Sequence, residues 1–249
     1  MQDEHVPSVG VRYWGILFAA SLLGANLGNL LADHFAMGLF GRLLVLAAVL
    51  AAVFLAERLD RSRTDVCYWM AVVVIQAAST RLADFSTIDL GVGRLAVIAI
   101  LAVILVATFR ILRSSPMLVI STHMISRPGA SAKPMADTAH WTAMVVASTL
   151  GTVTSEFIIH GLGFGAMWAC VILVVLLGVS FAIHRLPGVN LLLIYWLTST
   201  VVRGFGNAYG DLLTKNVHLP VGLPLSTELS CVLMFALLLL WPRPTPTLP

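Results

Sequence analysis

Hydrophobic and polar positions along this chain follow two rhythms. On the longer scale, apolar runs recur eight times, at roughly 13–33, 39–57, 67–86, 93–112, 139–160, 164–184, 190–212 and 223–241. Each is close to the length of about 20 residues that a helix needs to cross the hydrocarbon core of a bilayer. On the shorter scale, the odd-numbered runs share one plan of tryptophan, small and polar positions. They read WGILFAASLLGANLGN from Trp14, WMAVVVIQAASTRLAD from Trp69, WTAMVVASTLGTVTSE from Trp141 and WLTSTVVRGFGNAYGD from Trp196. Counted from each Trp, position +10 is Gly24, Ser79, Gly151 and Gly206, and position +14 is Gly28, Ala83, Ser155 and Gly210. Position +15 is Asn29, Asp84, Glu156 and Asp211.

The chain is therefore four copies of one unit. Trp14 to Trp69 and Trp141 to Trp196 both span 55 residues. Each unit is predicted to be a helical hairpin, so all four enter the membrane from the same side, as parallel repeats about an axis along the membrane normal. The longest break runs from Ser114 to Thr138 and holds Pro116, Pro128, Gly129 and Pro134, which is loop punctuation. It divides the chain into an N-terminal half (1–113), a linker (114–138) and a C-terminal half (139–249), with two repeats in each half. Its MLVIS segment is expected to lie on the membrane surface.

Composition agrees with this pattern. Apolar residues make up 59% of 249 and charged residues 11%, with a mean hydropathy of +0.93. A soluble domain carries about 25% charged residues, so the expected fold is an all-α integral membrane protein of eight transmembrane helices. The net charge of +3 is too small to suggest a nucleic-acid partner, and the basic residues read better as topology signals. Arg12, Arg58, Arg61, Arg63, Arg110, Arg113, Arg127, Lys133, Arg185 and Arg243 fall on the side of the termini and repeat junctions, against Arg42, Arg94 and Lys215 on the other. The positive-inside rule then places both termini in the cytoplasm. The N-terminal segment MQDEHVPSVGVR lacks the features of a signal peptide, so the first helix is expected to stay attached. Cys67, Cys170 and Cys231 are widely spaced, form no CxxC and read as apolar packing residues.

At about 100° per residue, positions 0, +3, +7, +10, +11, +14 and +15 fall within one stripe roughly 140° wide. Trp14, Trp69, Trp141 and Trp196 are expected to be interface anchors. The small pairs at +10 and +14 are expected to let helix backbones approach closely. Position +15 lies about 22 Å along the helix from the Trp, at about 1.5 Å per residue, near the far mouth of the bundle. Carboxylates there are costly unless paired, hydrated or protonated. They are read either as structural hydrogen-bonding groups or as the lining of a polar cavity. Arg81, three residues before Asp84, reads as a local ion-pair partner.

Arg203, at +7, breaks the fourfold plan, because the same position holds Ser21, Gln76 and Ser148 elsewhere. It is two turns from Asp211, so its partner has to be on another helix or be a ligand. The candidate substrate- or ion-binding residues are thus Arg203, Asp211, Asp84, Glu156, Asn29 and Gln76. Glu156 and His160, spaced i,i+4, are a weaker metal-ligand pair, with Asp33, His34, Asp211 and His218 as conceivable completions. His5, His123, His140 and His184 read as cytoplasmic and uninformative. No nucleotide loop, nucleophile elbow, HExxH, haem or flavin motif is present, so neither enzyme activity nor a cofactor is expected.

These residues resemble a bacterial membrane-protein family built of four tandem copies of a two-helix domain of unknown function, each with a characteristic tryptophan. Trp14, Trp69, Trp141 and Trp196, each followed by the small pair and a polar or acidic residue, carry the resemblance over nearly the whole chain. It implies a bacterial inner-membrane location and transfers no catalytic or binding residue. The leading expectation is a small transporter or permease for a solute or ion, working by rocking of its two halves. Alternatives are an accessory membrane subunit held together by its buried charges and, more weakly, a metal-ion carrier. The partners implied are the lipid bilayer, a small solute or ion, and either a protein partner or a second copy.

Overall fold

The computed structural model describes residues 9–34, 38–59, 65–112, 138–186, 188–215 and 221–240. All elements in this set are helical: α1 (Val11–His34), α2 (Leu39–Leu59), α3 (Asp65–Asp84), α4 (Arg94–Leu112), α5 (Thr138–Glu156), α6 (Gly165–Ile183), α7 (Leu191–Lys215) and α8 (Leu223–Leu240). They fall within a few residues of the eight apolar runs. The expected linker lies outside the described residues, apart from Thr138, which begins α5.

Local chemistry sets several of the ends. The Asn190 side-chain oxygen accepts from the amides of Leu192 and Leu193, capping the start of α7. Helices α3 and α5 do not stop at position +15. Each runs on through one wider π turn, Phe85–Asp89 and Phe157–Gly161, closed by the amides of Leu90 and Leu162 bonding to the carbonyls of Phe85 and Phe157. The chain then turns at Gly91 and Gly163, whose φ angles of 64° and 71° favour glycine.

The odd helices form a closed ring in which α1 packs on α3, α3 on α5, α5 on α7, and α7 back on α1. One rule makes all four joints: position +10 of each helix meets position +4 or +7 of the next. A Cβ placed on Gly24 would lie 2.6 Å from the Val73 carbonyl oxygen, and one on Gly151 2.5 Å from that of Thr200. One on Gly206 would lie 2.7 Å from the Ser21 Cβ, while the Ser79 hydroxyl reaches the Val145 carbonyl at 3.4 Å. Such separations between backbones exclude larger side chains, which is how small residues drive helix association without a hydrophobic contribution. Gly204 adds a contact that the repeat pattern did not reveal, because a Cβ there would lie 2.8 Å from the Gly151 carbonyl oxygen.

The repeated tryptophans obey the same cyclic order, and at Trp69 and Trp196 burial against protein takes the place of the exposed interface setting expected of an anchor. Each Trp packs against the aromatic residue that precedes the Trp of the previous repeat. Trp69 lies 5.2 Å from Tyr13, Trp141 5.5 Å from Tyr68, Trp196 5.7 Å from His140, and Trp14 5.7 Å from Tyr195, between ring centroids. These are ordinary aromatic pair distances, worth about 0.5–1.5 kcal/mol each beyond burial. Trp69 is 0% exposed and Trp196 3%, whereas Trp14 and Trp141 are half-buried. The tryptophans close the ring as a pinwheel at the end where the odd helices begin.

The even helices form an outer layer with an unexpected partner choice. Rather than packing mainly within its own hairpin, each lies chiefly on the odd helix of the next repeat: α2 on α3, α4 on α5, α6 on α7, and α8 on α1. The last joint carries hydrogen bonds from the Asn26 amide to Ser226 (2.9 Å) and Ser230 (3.1 Å). Arg12 donates to the Leu238 carbonyl at 3.3 Å, so the start of α1 and the end of α8 share one side. Outward faces are apolar, with Val171, Val175, Val179, Val232 and Leu239 all exposed. The two sequence halves share one core that joins Tyr13, Trp69, Met144 and Trp196.

Two glycines provide a test of the ring contacts. Gly151→Ala is expected to lower stability by about 1–3 kcal/mol through overpacking, read as thermal unfolding in mild detergent. Gly178→Ala, on α6 with nothing within 4 Å of the added carbon, is expected to be neutral or to stabilise by up to about 1 kcal/mol. Equal effects at the two sites would contradict the close approach of α5 and α7.

Candidate functional site

Because the odd helices are parallel and in register, equivalent positions stack into layers along the ring axis. At the end where the helices begin, Tyr13, Tyr68, His140 and Tyr195 converge. The Tyr13 hydroxyl is hydrogen-bonded to that of Tyr195 and lies 3.4 Å from that of Tyr68, which is itself 3.4 Å from His140 Nε2. Two turns further on lie Ser21, Gln76, Ser148 and Arg203, all fully buried. At the far end lies position +15.

Arg203 occupies the middle layer with 0% exposure. One terminal nitrogen donates to Gln76 Oε1 at 3.2 Å and the other to the Met144 sulfur at 2.9 Å, while Nε has no partner among the described residues. Gln76 in turn donates to Thr152 Oγ1 at 3.3 Å. The guanidinium therefore faces neither a carboxylate nor the cavity described below. Its partners are on other helices, as the sequence required, but they are neutral. A buried charge without a counter-ion costs several kcal/mol, so the ring packing holds Arg203 in place at a cost.

The far layer opens into a cavity of about 390 Å³ that gathers all four +15 residues, Asn29, Asp84, Glu156 and Asp211. Asp33, Thr80, Arg81, Asn207, Thr214 and Lys215 add polar lining, and Ala32, Ile88 and Leu223 an apolar wall. Arg81 makes the expected salt bridge to Asp84 at 2.8 Å, and it also donates to Asn29 Oδ1 at 2.6 Å, tying α3 to α1. Lys215 pairs with Asp211 at 2.7 Å. From the cavity lining, the Asn207 amide donates to Ser155 Oγ at 3.0 Å, joining α7 to α5.

Glu156 is only 9% exposed and has no hydrogen-bond or ion-pair partner among the described residues, although it lines the cavity. The metal pairing expected for it is not assembled. His160 sits in the π turn, exposed and outside the cavity lining. No group of three or more His, Cys, Asp or Glu able to hold a metal occurs among the described residues. The side chain of His34 and all of His218 lie outside them.

The ring thus brings together Asp84, Glu156, Asp211 and Asn29, and it places Gln76 and Arg203 in a separate layer. Sequence reasoning missed Lys215 as the partner of Asp211, although their i,i+4 spacing announced it. It also dismissed His140, although that residue shares the repeat position of Tyr13, Tyr68 and Tyr195. Asn207, at +11, was on the polar stripe but not singled out.

Fold and cavity define the class: an all-helical protein, with the lengths and apolarity of a multi-pass membrane protein, around a polar cavity. Five helices among the described residues are long and apolar enough to cross a membrane. Helix α7 falls outside that group because polar residues such as Arg203, Asn207 and Asp211 make it less apolar, and these are buried against protein. Comparison with known families, curated proteins and solved structures finds no match.

Removing the central charge tests its setting. Since no carboxylate would be orphaned, Arg203→Met is expected to leave unfolding stability within about 1 kcal/mol of the parent, or to raise it. A loss of about 3 kcal/mol or more, as when a buried ion pair is broken, would show that Arg203 is paired with a counter-charge.

Proposed function

We propose that this chain is a small carrier of the bacterial cytoplasmic membrane, with both termini inside, that binds a small solute or ion in the cavity between its odd helices. The observation that carries this reading is the convergence of one polar residue from every repeat on a single cavity of about 390 Å³. That volume lies in the range of small-molecule sites, roughly 300–1,000 Å³. A purely structural role for the charges fits less well, because Glu156 is buried at the cavity wall with no hydrogen bond or ion pair among the described residues, and only the fields of Arg94 and Lys215 favour its charge.

The ring also suggests where movement takes place. Joints α1–α3, α5–α7 and α7–α1 each have a glycine at the closest approach, whereas α3–α5 has Ser79 and Ala83 at the equivalent positions. The helices flanking that seam are the two that end in π turns, a feature frequent at functional sites. Separation at α3–α5, with α7–α1 as the hinge, would rock the two halves about the axis. In the arrangement described here the aromatic pinwheel and Arg203 close the opposite end.

Flux measurements test it. With membrane abundance matched, Glu156→Gln and Asp211→Asn are expected to reduce accumulation or efflux of the transported solute by about tenfold or more, as loss of charge–charge contacts at a buried site does. A panel of small cationic and zwitterionic solutes that shows no change with either variant would rule out transport through this cavity. Co-purification of a stoichiometric partner protein would then favour the accessory-subunit alternative.

A further inference from the structure

We infer that the cavity takes one monovalent organic cation, a primary or secondary ammonium ion, with Glu156 as its counter-charge. This names the substrate class of the carrier proposed above and rests on that reading only for its purpose, since binding can be measured without flux.

The charges around the cavity are already largely committed. Asp84 is held by Arg81 at 2.8 Å and Asp211 by Lys215 at 2.7 Å. Asp33 is exposed at the rim, where solvent screens it. Glu156 remains: 9% exposed, at the cavity wall, and without a hydrogen bond or ion pair among the described residues, although Arg94 and Lys215 act on it from a distance. A buried carboxylate needs either a proton or a cation. One uncommitted charge matches one monovalent ion, whereas a divalent metal prefers several oxygen ligands, and no such group occurs among the described residues. Anions are disfavoured because both cavity cations are already paired and Arg203 is not part of the lining.

Size and hydrogen bonding separate an organic ammonium from a bare ion. About 390 Å³ is far more space than an alkali ion or a proton needs, and Ala32, Ile88 and Leu223 offer an apolar wall to an alkyl chain. Of the remaining polar groups, Asn29 is left with its amide donor because its oxygen accepts from Arg81, whereas Asn207, Thr80 and Thr214 can accept. The Asn207 amide nitrogen donates to Ser155, which leaves its carbonyl oxygen to accept. The hydroxyls of Thr80 and Thr214 donate to the carbonyls of Gln76 and Gly210, which leaves their lone pairs to accept. An ammonium group, which only donates, suits those acceptors.

The test uses the full-length protein in lipid nanodiscs, titrated calorimetrically with n-butylammonium, with Mg²⁺ and with glutarate. Saturable n-butylammonium binding is expected, weakened about 30-fold or more by Glu156→Gln. Lys215→Gln is the informative second variant, because its side chain is 59% exposed and its loss should leave the fold intact. It frees Asp211, so n-butylammonium should bind about fivefold tighter or better, and Mg²⁺ affinity should appear where the parent has none. The inference is overturned if no n-butylammonium binds, if Glu156→Gln binds it as the parent does, if Lys215→Gln binds it no more tightly, or if the parent binds Mg²⁺ or glutarate in its place. Binding without flux would sink the carrier reading and leave the site standing. Cavity-dependent flux of another solute without n-butylammonium binding would do the reverse.

Discussion

The constraint on which this structure depends is the close approach of four helix backbones in a closed ring. Helices α1, α3 and α5 have the length and apolarity to cross a membrane, and helix association in lipid gains little from the hydrophobic effect and relies on packing and hydrogen bonds. Small residues at position +10 supply the packing at every joint, from Gly24 on α3 round to Gly206 on α1. The tryptophan pinwheel supplies it at one end, and the links Arg81–Asn29 and Asn207–Ser155 supply hydrogen bonds towards the other. Because the same rule makes every joint, the first and last repeats meet as the inner ones do. The outer helices follow, each on the odd helix of the next repeat.

A ring of this kind has an axis, and whatever stands on the axis is buried. Near-symmetry puts four residues into each layer, and four copies of one charge could not be tolerated there. The sequence varies the copies accordingly. The +7 layer holds one arginine with a glutamine and two serines, and the +15 layer holds three acids and an asparagine, two of the acids neutralised by Arg81 and Lys215. Without an ion pair among the described residues are Arg203 in the middle and Glu156 at the cavity, the latter within the influence of Arg94 and Lys215. Neither is explained by folding, and their separation along the axis gives the bundle a cationic centre beneath an anionic cavity.

Much of this was legible in the sequence because repeat and helix period coincide. The runs predicted the helices to within a few residues, and the spacing from each Trp placed Asp84, Glu156 and Asp211 at one level. What the sequence withheld concerns partners across helices. Periodicity shows which face of a helix is polar but not which helix it meets. Trp69 therefore read as an interface anchor when it is buried on Tyr13, and Glu156 and His160 read as a pair when the π turn leaves one in the cavity and the other exposed. Each tryptophan's partner sits one residue before the previous repeat's Trp, so the signal was present at Tyr13, Tyr68, His140 and Tyr195. It could be interpreted only once the ring was known to close.

Closure between the first and last repeats is the most direct point at which to test this account. Phe18 on α1 and Phe205 on α7 stack with ring centroids 4.8 Å apart. With Cys67, Cys170 and Cys231 replaced by alanine, the pair Phe18→Cys and Phe205→Cys should cross-link rapidly in native membranes under mild oxidation. No cross-link there, with efficient cross-linking instead when Phe18→Cys is combined with a cysteine placed on α2, would contradict the ring and with it the cavity that the ring encloses.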